Sequence, residues 1–254
     1  MSAVATAAGL VSFPVGAGIA GAALAAWRKP GPRLTSAVQH FAAGVVLAAV
    51  AGEVLPDLRS EGRLGAVVVG FATGVALLLA LGAWSRRREA AATSGTAASS
   101  AHLGAAGTSA LPLGMLVAVG IDLLIDGTLV GLGATLGSRQ GLILTVALTL
   151  EILFLAVSVC IELLEAGVAR TRAAVICAAL GLATAVGAIG SALLLGDASK
   201  TVLAAVLAFG AAALLYLVVE ELLVEAHEQS ETALLGAMFF AGFLGLYILA
   251  ELGG

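Results

Sequence analysis

The chain has 254 residues, of which 61% are hydrophobic and 11% are charged, whereas a soluble domain has about 25% charged residues. This composition excludes a water-soluble globular protein and makes the lipid bilayer the main partner of the chain. Sixteen acidic and twelve basic residues give a net charge of −4. Because the basic residues form no continuous stripe, nucleic-acid binding is excluded as well.

Charged residues and turns divide the chain into eight apolar stretches. A helix needs about 20 apolar residues to cross a hydrocarbon core of about 30 Å, and the long apolar runs lack the alternation of a barrel strand. We therefore predict an all-α polytopic membrane protein. Its eight spans are predicted at about residues 4–27, 34–58, 64–84, 111–137, 141–167, 173–196, 201–226 and 232–252.

The basic residues of the loops predict the orientation of the spans. Eight of them follow spans one, three and five, and four lie in the other loops. The positive-inside rule then places the first set of loops in the cytoplasm and both termini outside it. The N-terminal stretch has no basic residue before its apolar run, so we read it as an uncleaved span rather than a signal peptide. The predicted location is the inner (plasma) membrane.

The predicted spans fall into three groups along the chain. Residues 1–84 hold spans one to three, residues 111–167 hold spans four and five, and residues 168–254 hold spans six to eight. The intervening segment 85–110 is rich in alanine, glycine and serine and has too little apolar surface to fold alone. We predict that it is a flexible cytoplasmic loop.

A weak internal repeat relates the second and seventh spans. At an offset of 168 residues, FAAGVVLAAVAGEVLPD (41–57) lies over FGAAALLYLVVEELLVE (209–225). Glu53 then meets Glu221, and Asp57 meets Glu225. Because the two spans run in opposite directions in the predicted topology, the repeat is inverted, an organisation found in secondary transporters.

Several acidic residues lie inside the predicted spans, where an ionised carboxylate is costly and is a functional candidate by default. Asp122 and Asp126 in GIDLLIDG are four residues apart and share one face of span four. Glu151 lies in the middle of span five, and no lysine or arginine lies at a comparable depth. The remaining candidates are Glu53, Glu221 and Glu225. His40 is predicted at the membrane interface.

The sequence contains no nucleophile elbow, HExxH motif, phosphate-binding loop or dinucleotide-binding turn. We therefore expect a protein that is not an enzyme. The two cysteines, Cys160 and Cys177, are isolated within apolar stretches and are expected to be small core residues.

Three segments resemble the ZIP (Zrt- and Irt-like) divalent-cation transporters, and in particular their bacterial GufA-type branch. FAAGVVLAAVAGEVLPD is similar to that family's second helix, LLYLVVEELLVEAHEQSE to its seventh, and DLLIDGTLVG to its first metal-binding helix. The resemblance implies eight spans in a 3+2+3 inverted-repeat bundle, alternating access and a possible homodimer. It also implies a metal site formed mainly by spans four and five.

The chain departs from the family pattern at the metal site itself. Asp122 stands at the family's histidine, Asp126 keeps its acid, and Glu151 stands at the second position of a nearly erased second metal motif. The resemblance thus implies Asp122 and Asp126 as the main ligands and Glu151 as a third ligand or proton acceptor. Glu53, Glu221 and Glu225 become entry, exit or secondary positions.

We therefore expect a ZIP-like carrier that moves a divalent cation of the zinc, iron or manganese class toward the cytoplasm. A core of carboxylates favours harder ions than zinc, which prefers nitrogen and sulfur donors. Two alternatives stay open. One is a proton-linked carrier of another solute on the same fold, and the other is a non-transporting relative with a degenerate metal site.

Overall fold

The computed structural model describes residues 2–28, 30–60, 63–99, 113–226 and 232–252, and every regular element in these ranges is helical. The prediction of an all-α protein is confirmed for this part of the chain. The α-helices are Ala3–Trp27, Pro32–Ala49, Leu55–Ser60, Leu64–Ser99, Leu113–Leu136, Ser138–Glu165, Arg170–Leu195, Lys200–Leu217, Leu223–Ala226 and Ala233–Leu252. Two π-helical segments, Val50–Val54 and Val218–Leu222, complete the set.

Within the described ranges, eight stretches of helix are long and apolar enough to cross a membrane, as the sequence predicts. We number them spans one to eight in chain order. Their ends lie within three residues of the predicted ones, except that span seven ends six residues before the predicted residue 226. They are Ala3–Trp27, Arg33–Ser60, Leu64–Trp84, Leu113–Leu136, Gln140–Glu165, Arg170–Leu195, Lys200–Glu220 and Ala233–Leu252.

The helix of span three continues well beyond its apolar part, to Ser99. The first part of the predicted loop 85–110 is therefore helical, at residues 85–99. The physical reason lies in the sequence RREAAATSGTAAS, in which alanine, arginine and glutamate are strong helix formers although they bury little apolar surface. Residues 100–112 lie outside the described part of the chain.

Spans two, five and seven occupy the centre of the bundle. In the most apolar part of each, 56% of the residues are buried, against 22% in span one and 17% in spans three and eight. Spans one, three and eight therefore expose most of their apolar side chains at the outside of the bundle, as expected for helices that face lipid.

Glycines allow neighbouring spans to pack backbone against backbone. A Cβ atom at Gly242 of span eight would overlap the carbonyl group of Phe41 in span two. In the same way, a Cβ atom at Gly74 of span three would come too close to Phe209 and Ala212 of span seven. Small residues at such contacts let helices approach where no hydrophobic force drives them together.

The two π-helical segments interrupt spans two and seven at corresponding places. In the first, the Leu55 N–H donates to the Val50 carbonyl, and in the second the Leu223 N–H donates to the Val218 carbonyl. Each bond joins residues five apart, one more than in an α-helix. Val50 and Val218 are 168 residues apart, which is the offset of the sequence repeat.

Candidate metal centre

Span four carries two acidic side chains one turn apart near its middle. Asp126 is only 3% exposed, while Asp122, one turn nearer the start of the span, is partly exposed. The helix places them on the same face because residues four apart are neighbours along its surface. Two carboxylates therefore face one region of the bundle from a single span.

Span five brings a third carboxylate to the same place. Glu151 lies near the middle of this span and is 1% exposed. One oxygen each from Asp122, Asp126 and Glu151 lies within 4.8 Å of the others. Oxygens bound to one ion at about 2.0–2.6 Å lie at most about 4–5 Å apart, so a single cation between the three carboxylates could contact all of them. We call Asp122, Asp126 and Glu151 the carboxylate trio.

The electrostatics of the trio favour a cation. Two ionised carboxylates about 4 Å apart repel each other by about 4 kcal/mol at an effective dielectric constant of 20. Burial adds the cost of removing charge from water. A divalent cation between the carboxylates would offset both terms, and their oxygens are the donors that hard cations prefer.

Close packing from two other spans holds spans four and five in place. Gly127, next to Asp126, lies directly against the backbone of Thr184 in span six, because a Cβ atom there would overlap the Thr184 carbonyl oxygen. The Ser191 hydroxyl of span six also donates to the Thr128 carbonyl, at 3.1 Å. On the other side, Gly21 of span one lies against the Leu153 carbonyl of span five. The backbone on both sides of the trio is therefore tightly confined.

Neither models of known protein families nor curated proteins match this chain.

Four of the six residues that the sequence singles out have described side chains, and the structure brings three of these four together. Glu53 lies in the first π-helical segment and is partly buried, and it is not one of the three grouped carboxylates. Glu221 lies in the second π-helical segment and Glu225 in the short helix that follows. The side chains of Glu221 and Glu225 fall outside the described part of the structure.

The sequence analysis did not select as site candidates a group of buried polar residues in the first half of span two. Ser36, Gln39 and His40 are 1%, 4% and 4% exposed. His40, predicted at the interface, is buried among the helices, and its Nδ1 atom lies 2.9 Å from the Ser36 carbonyl oxygen. Polar side chains within an apolar helix are costly to bury, and that cost is the sequence signal that could have selected them.

Proposed function

We propose that this chain is a ZIP-like carrier that moves a divalent cation across the membrane toward the cytoplasm without converting it chemically. The observation that carries the proposal is the carboxylate trio, in which two spans place oxygens of three buried or partly buried acids within 4.8 Å. Such a group at mid-span suits an ion pathway better than a structural role, because intramembrane acids are costly to bury.

The chemistry of the trio favours a hard divalent cation. All three members are carboxylates, the donor type of Mg²⁺, Ca²⁺ and Mn²⁺ sites, and Fe²⁺ is an intermediate case. The sequence places no histidine in span four or five, and imidazole is a donor that zinc prefers. Within the zinc, iron and manganese class, we therefore expect the site to have little selectivity for zinc over the other ions.

Three paired features support the inverted repeat that this function would use. The π-helical segments begin at Val50 and Val218, which differ by 168 positions. Span eight contacts Phe41 through Gly242, and span three contacts Phe209 through Gly74. Both the phenylalanines and the glycines differ by the same 168 positions. Spans one to three and six to eight would then form two related halves around spans four and five.

The remaining acids fit secondary positions along the pathway. Glu53 and Glu221 occupy equivalent places in the two π-helical segments, and such segments are frequent at functional sites. We propose that they act at the entry or exit of the ion, with Glu225 beyond them in the short helix Leu223–Ala226. Of these three, Glu53 has a described side chain, and it is not one of the grouped carboxylates.

A binding measurement on the purified protein tests the proposal. We would titrate Zn²⁺, Mn²⁺, Fe²⁺ and Mg²⁺ into the full chain in detergent and measure its metal content. In a variant with Asp122→Asn and Asp126→Asn, we expect binding to weaken about 100-fold or more, because two charge-assisted contacts of about 1.5 kcal/mol or more each are lost. Uptake into vesicles should fall with it.

The matched control is Glu162→Gln. Glu162 lies on span five like Glu151, but it is exposed and outside the trio, so metal binding should change little. Unchanged binding in the double variant would contradict the proposal. Transport that follows pH and ignores added metal would favour the proton-linked carrier, and a folded protein without metal affinity would favour the non-transporting relative.

A further inference from the structure

A small, mostly apolar cavity with three polar residues in its lining borders Glu151 and lies between three spans. Its polar lining is the Gln39 side chain of span two with Glu151 and Ser158 of span five. The apolar remainder of the lining is Phe154, Leu155, Leu217 and Leu222. The cavity offers about 20 Å³ to the centre of a water molecule, and a single water needs about 10–15 Å³. We call it the Gln39 cavity.

Every polar group of the Gln39 cavity supplies an oxygen suited to a hard cation. Glu151 contributes a carboxylate, Gln39 an amide and Ser158 a hydroxyl, and these donors together with water are typical of calcium and magnesium sites. Gln39 is 4% exposed and Glu151 is 1% exposed. Both residues are buried in the bundle, so a cation in this cavity would find its oxygen donors on these side chains within an otherwise apolar lining.

The cavity lies between the trio and one end of the bundle. From Glu151 to Ser158, span five advances seven residues, or about 10 Å, toward its C-terminal end. Leu217 and Leu222 lie on either side of the start of the π-helical segment in span seven. One turn of span two beyond Gln39, the Ser36 hydroxyl donates to the Ala226 carbonyl at 2.7 Å, and both residues are buried. This contact closes the bundle beyond the cavity.

We propose that the Gln39 cavity is an exit subsite for a largely dehydrated divalent cation. A cation that leaves the trio keeps Glu151 as a ligand and exchanges Asp122 and Asp126 for the Gln39 amide oxygen, the Ser158 hydroxyl and water. To leave the bundle, the ion then passes the hydrogen bond between Ser36 and Ala226. Because one carboxylate belongs to both sites, the ion keeps a charged ligand while it moves between them. The second site has fewer carboxylates and binds the ion more weakly, which allows it to leave. The inference rests on the proposed transport function.

Transport and binding must be measured separately to test this subsite. We would reconstitute the full-length variants Gln39→Met and Ser158→Ala in liposomes, measure the initial uptake of Mn²⁺, and titrate Mn²⁺ into the same proteins in detergent. In a combined variant that carries both substitutions, we expect Mn²⁺ uptake to fall about tenfold. The affinity of the trio for Mn²⁺ should change by less than about twofold.

Two further variants separate the chemistry of the cavity from its packing. Gln39→Asn keeps an amide oxygen and should retain more uptake than Gln39→Met, which matches the length of glutamine without the amide. Ser12→Ala removes a hydroxyl from an exposed serine of span one that donates to its own helix at Gly9, and it should leave uptake unchanged. If Gln39→Met fails to fold, Ser158→Ala alone tests the subsite, by the same comparison of Mn²⁺ uptake with Mn²⁺ affinity.

The possible failures are distinguishable. Normal uptake in the combined variant, with metal binding abolished by Asp122→Asn and Asp126→Asn, would overturn the exit subsite and leave the proposed function intact. Lost Mn²⁺ affinity in the combined variant would place Gln39 and Ser158 in the main site instead of a separate one. No metal binding by the unaltered protein would overturn the proposed function and the subsite together.

Discussion

Asp126 is followed by Gly127, which lies at a close contact between spans four and six. Gly127 lies against the Thr184 carbonyl, and both partners are backbone that cannot move aside. Any side chain at this position must push the two spans apart. The position of Asp126, and with it the geometry of the trio, therefore depends on the absence of a side chain at Gly127.

We predict that Gly127→Ala destabilises the protein by about 1–3 kcal/mol, the usual cost of overpacking a core. For a chain of this size that corresponds to a fall in Tm of about 2–10 °C. Metal affinity should fall as well, because Asp126 moves with the backbone. Thermal unfolding in detergent, with and without Mn²⁺, measures both effects.

Gly120→Ala is the matched control in the same span. The nearest atom to a Cβ at Gly120 is a Leu180 methyl carbon at 3.6 Å, which is an ordinary contact. Replacing glycine by alanine in a helix is otherwise favourable by about 0.5–1 kcal/mol. Equal Tm values for the two variants would contradict the close approach at Gly127.

At the scale of elements, the π-helical segments set spans two and seven apart from the regular helices. Each segment holds one residue more per turn than an α-helix would. In span two this turn contains Gly52, where a Cβ atom would meet nothing within 4 Å. The segment can therefore lose a residue and close as an α-helix without turning the flanking buried faces away from the core.

We predict that deleting Gly52 leaves a folded protein with a Tm within about 5 °C of the original. Val54 and Leu58, both buried, stay on the core face because the wide turn absorbs the deletion. Deleting Gly190 from span six is the contrasting case. It lies in a regular α-helix, and every residue after it rotates by about 100°, which turns Ser191 and Ala192 away from their buried positions.

Thermal unfolding and circular dichroism of the two deletion variants provide the comparison. The Gly190 deletion should lower the Tm by more than about 10 °C or prevent folding. A Gly52 deletion that is equally damaging would show that the π-helical turn has a strict structural role and is not a tolerant one.

At the scale of the whole molecule, eight spans require consecutive loops to lie on opposite sides of the membrane. The bias of basic residues predicts that Ala169, after span five, faces the cytoplasm and that Asp197, after span six, faces outward. Both residues are exposed at the ends of their helices. The native Cys160 and Cys177 are buried, so new cysteines at the ends would be labelled against a low background.

We predict that Asp197→Cys reacts with a membrane-impermeant maleimide in intact cells and that Ala169→Cys reacts only after permeabilisation. The opposite pattern would reverse the predicted orientation while keeping the span count. Labelling of both from the same side would contradict eight spans. Loss of labelling at either position after the loop is removed by proteolysis would verify that the signal comes from that loop.

The eight apolar helices of the described ranges were largely predictable from the sequence because the ability to cross a bilayer is a local property. Each helix satisfies its own backbone hydrogen bonds, and about 20 apolar residues suffice, so the boundaries follow from charges and turns alone. The shared face of Asp122 and Asp126 is equally local, since it follows from the helical period. The extension of span three to Ser99 was missed because polar, alanine-rich helices lack an apolar signal.

Only the tertiary structure decided which residues of different spans meet. Glu151 joins Asp122 and Asp126 because spans four and five are rotated and spaced by contacts with spans one and six, at Gly21 and Gly127. Gln39 borders Glu151 for a similar reason. The rotation of a helix about its axis depends on close packing with several neighbours at once, and that information is spread over the whole chain instead of residing in any one segment.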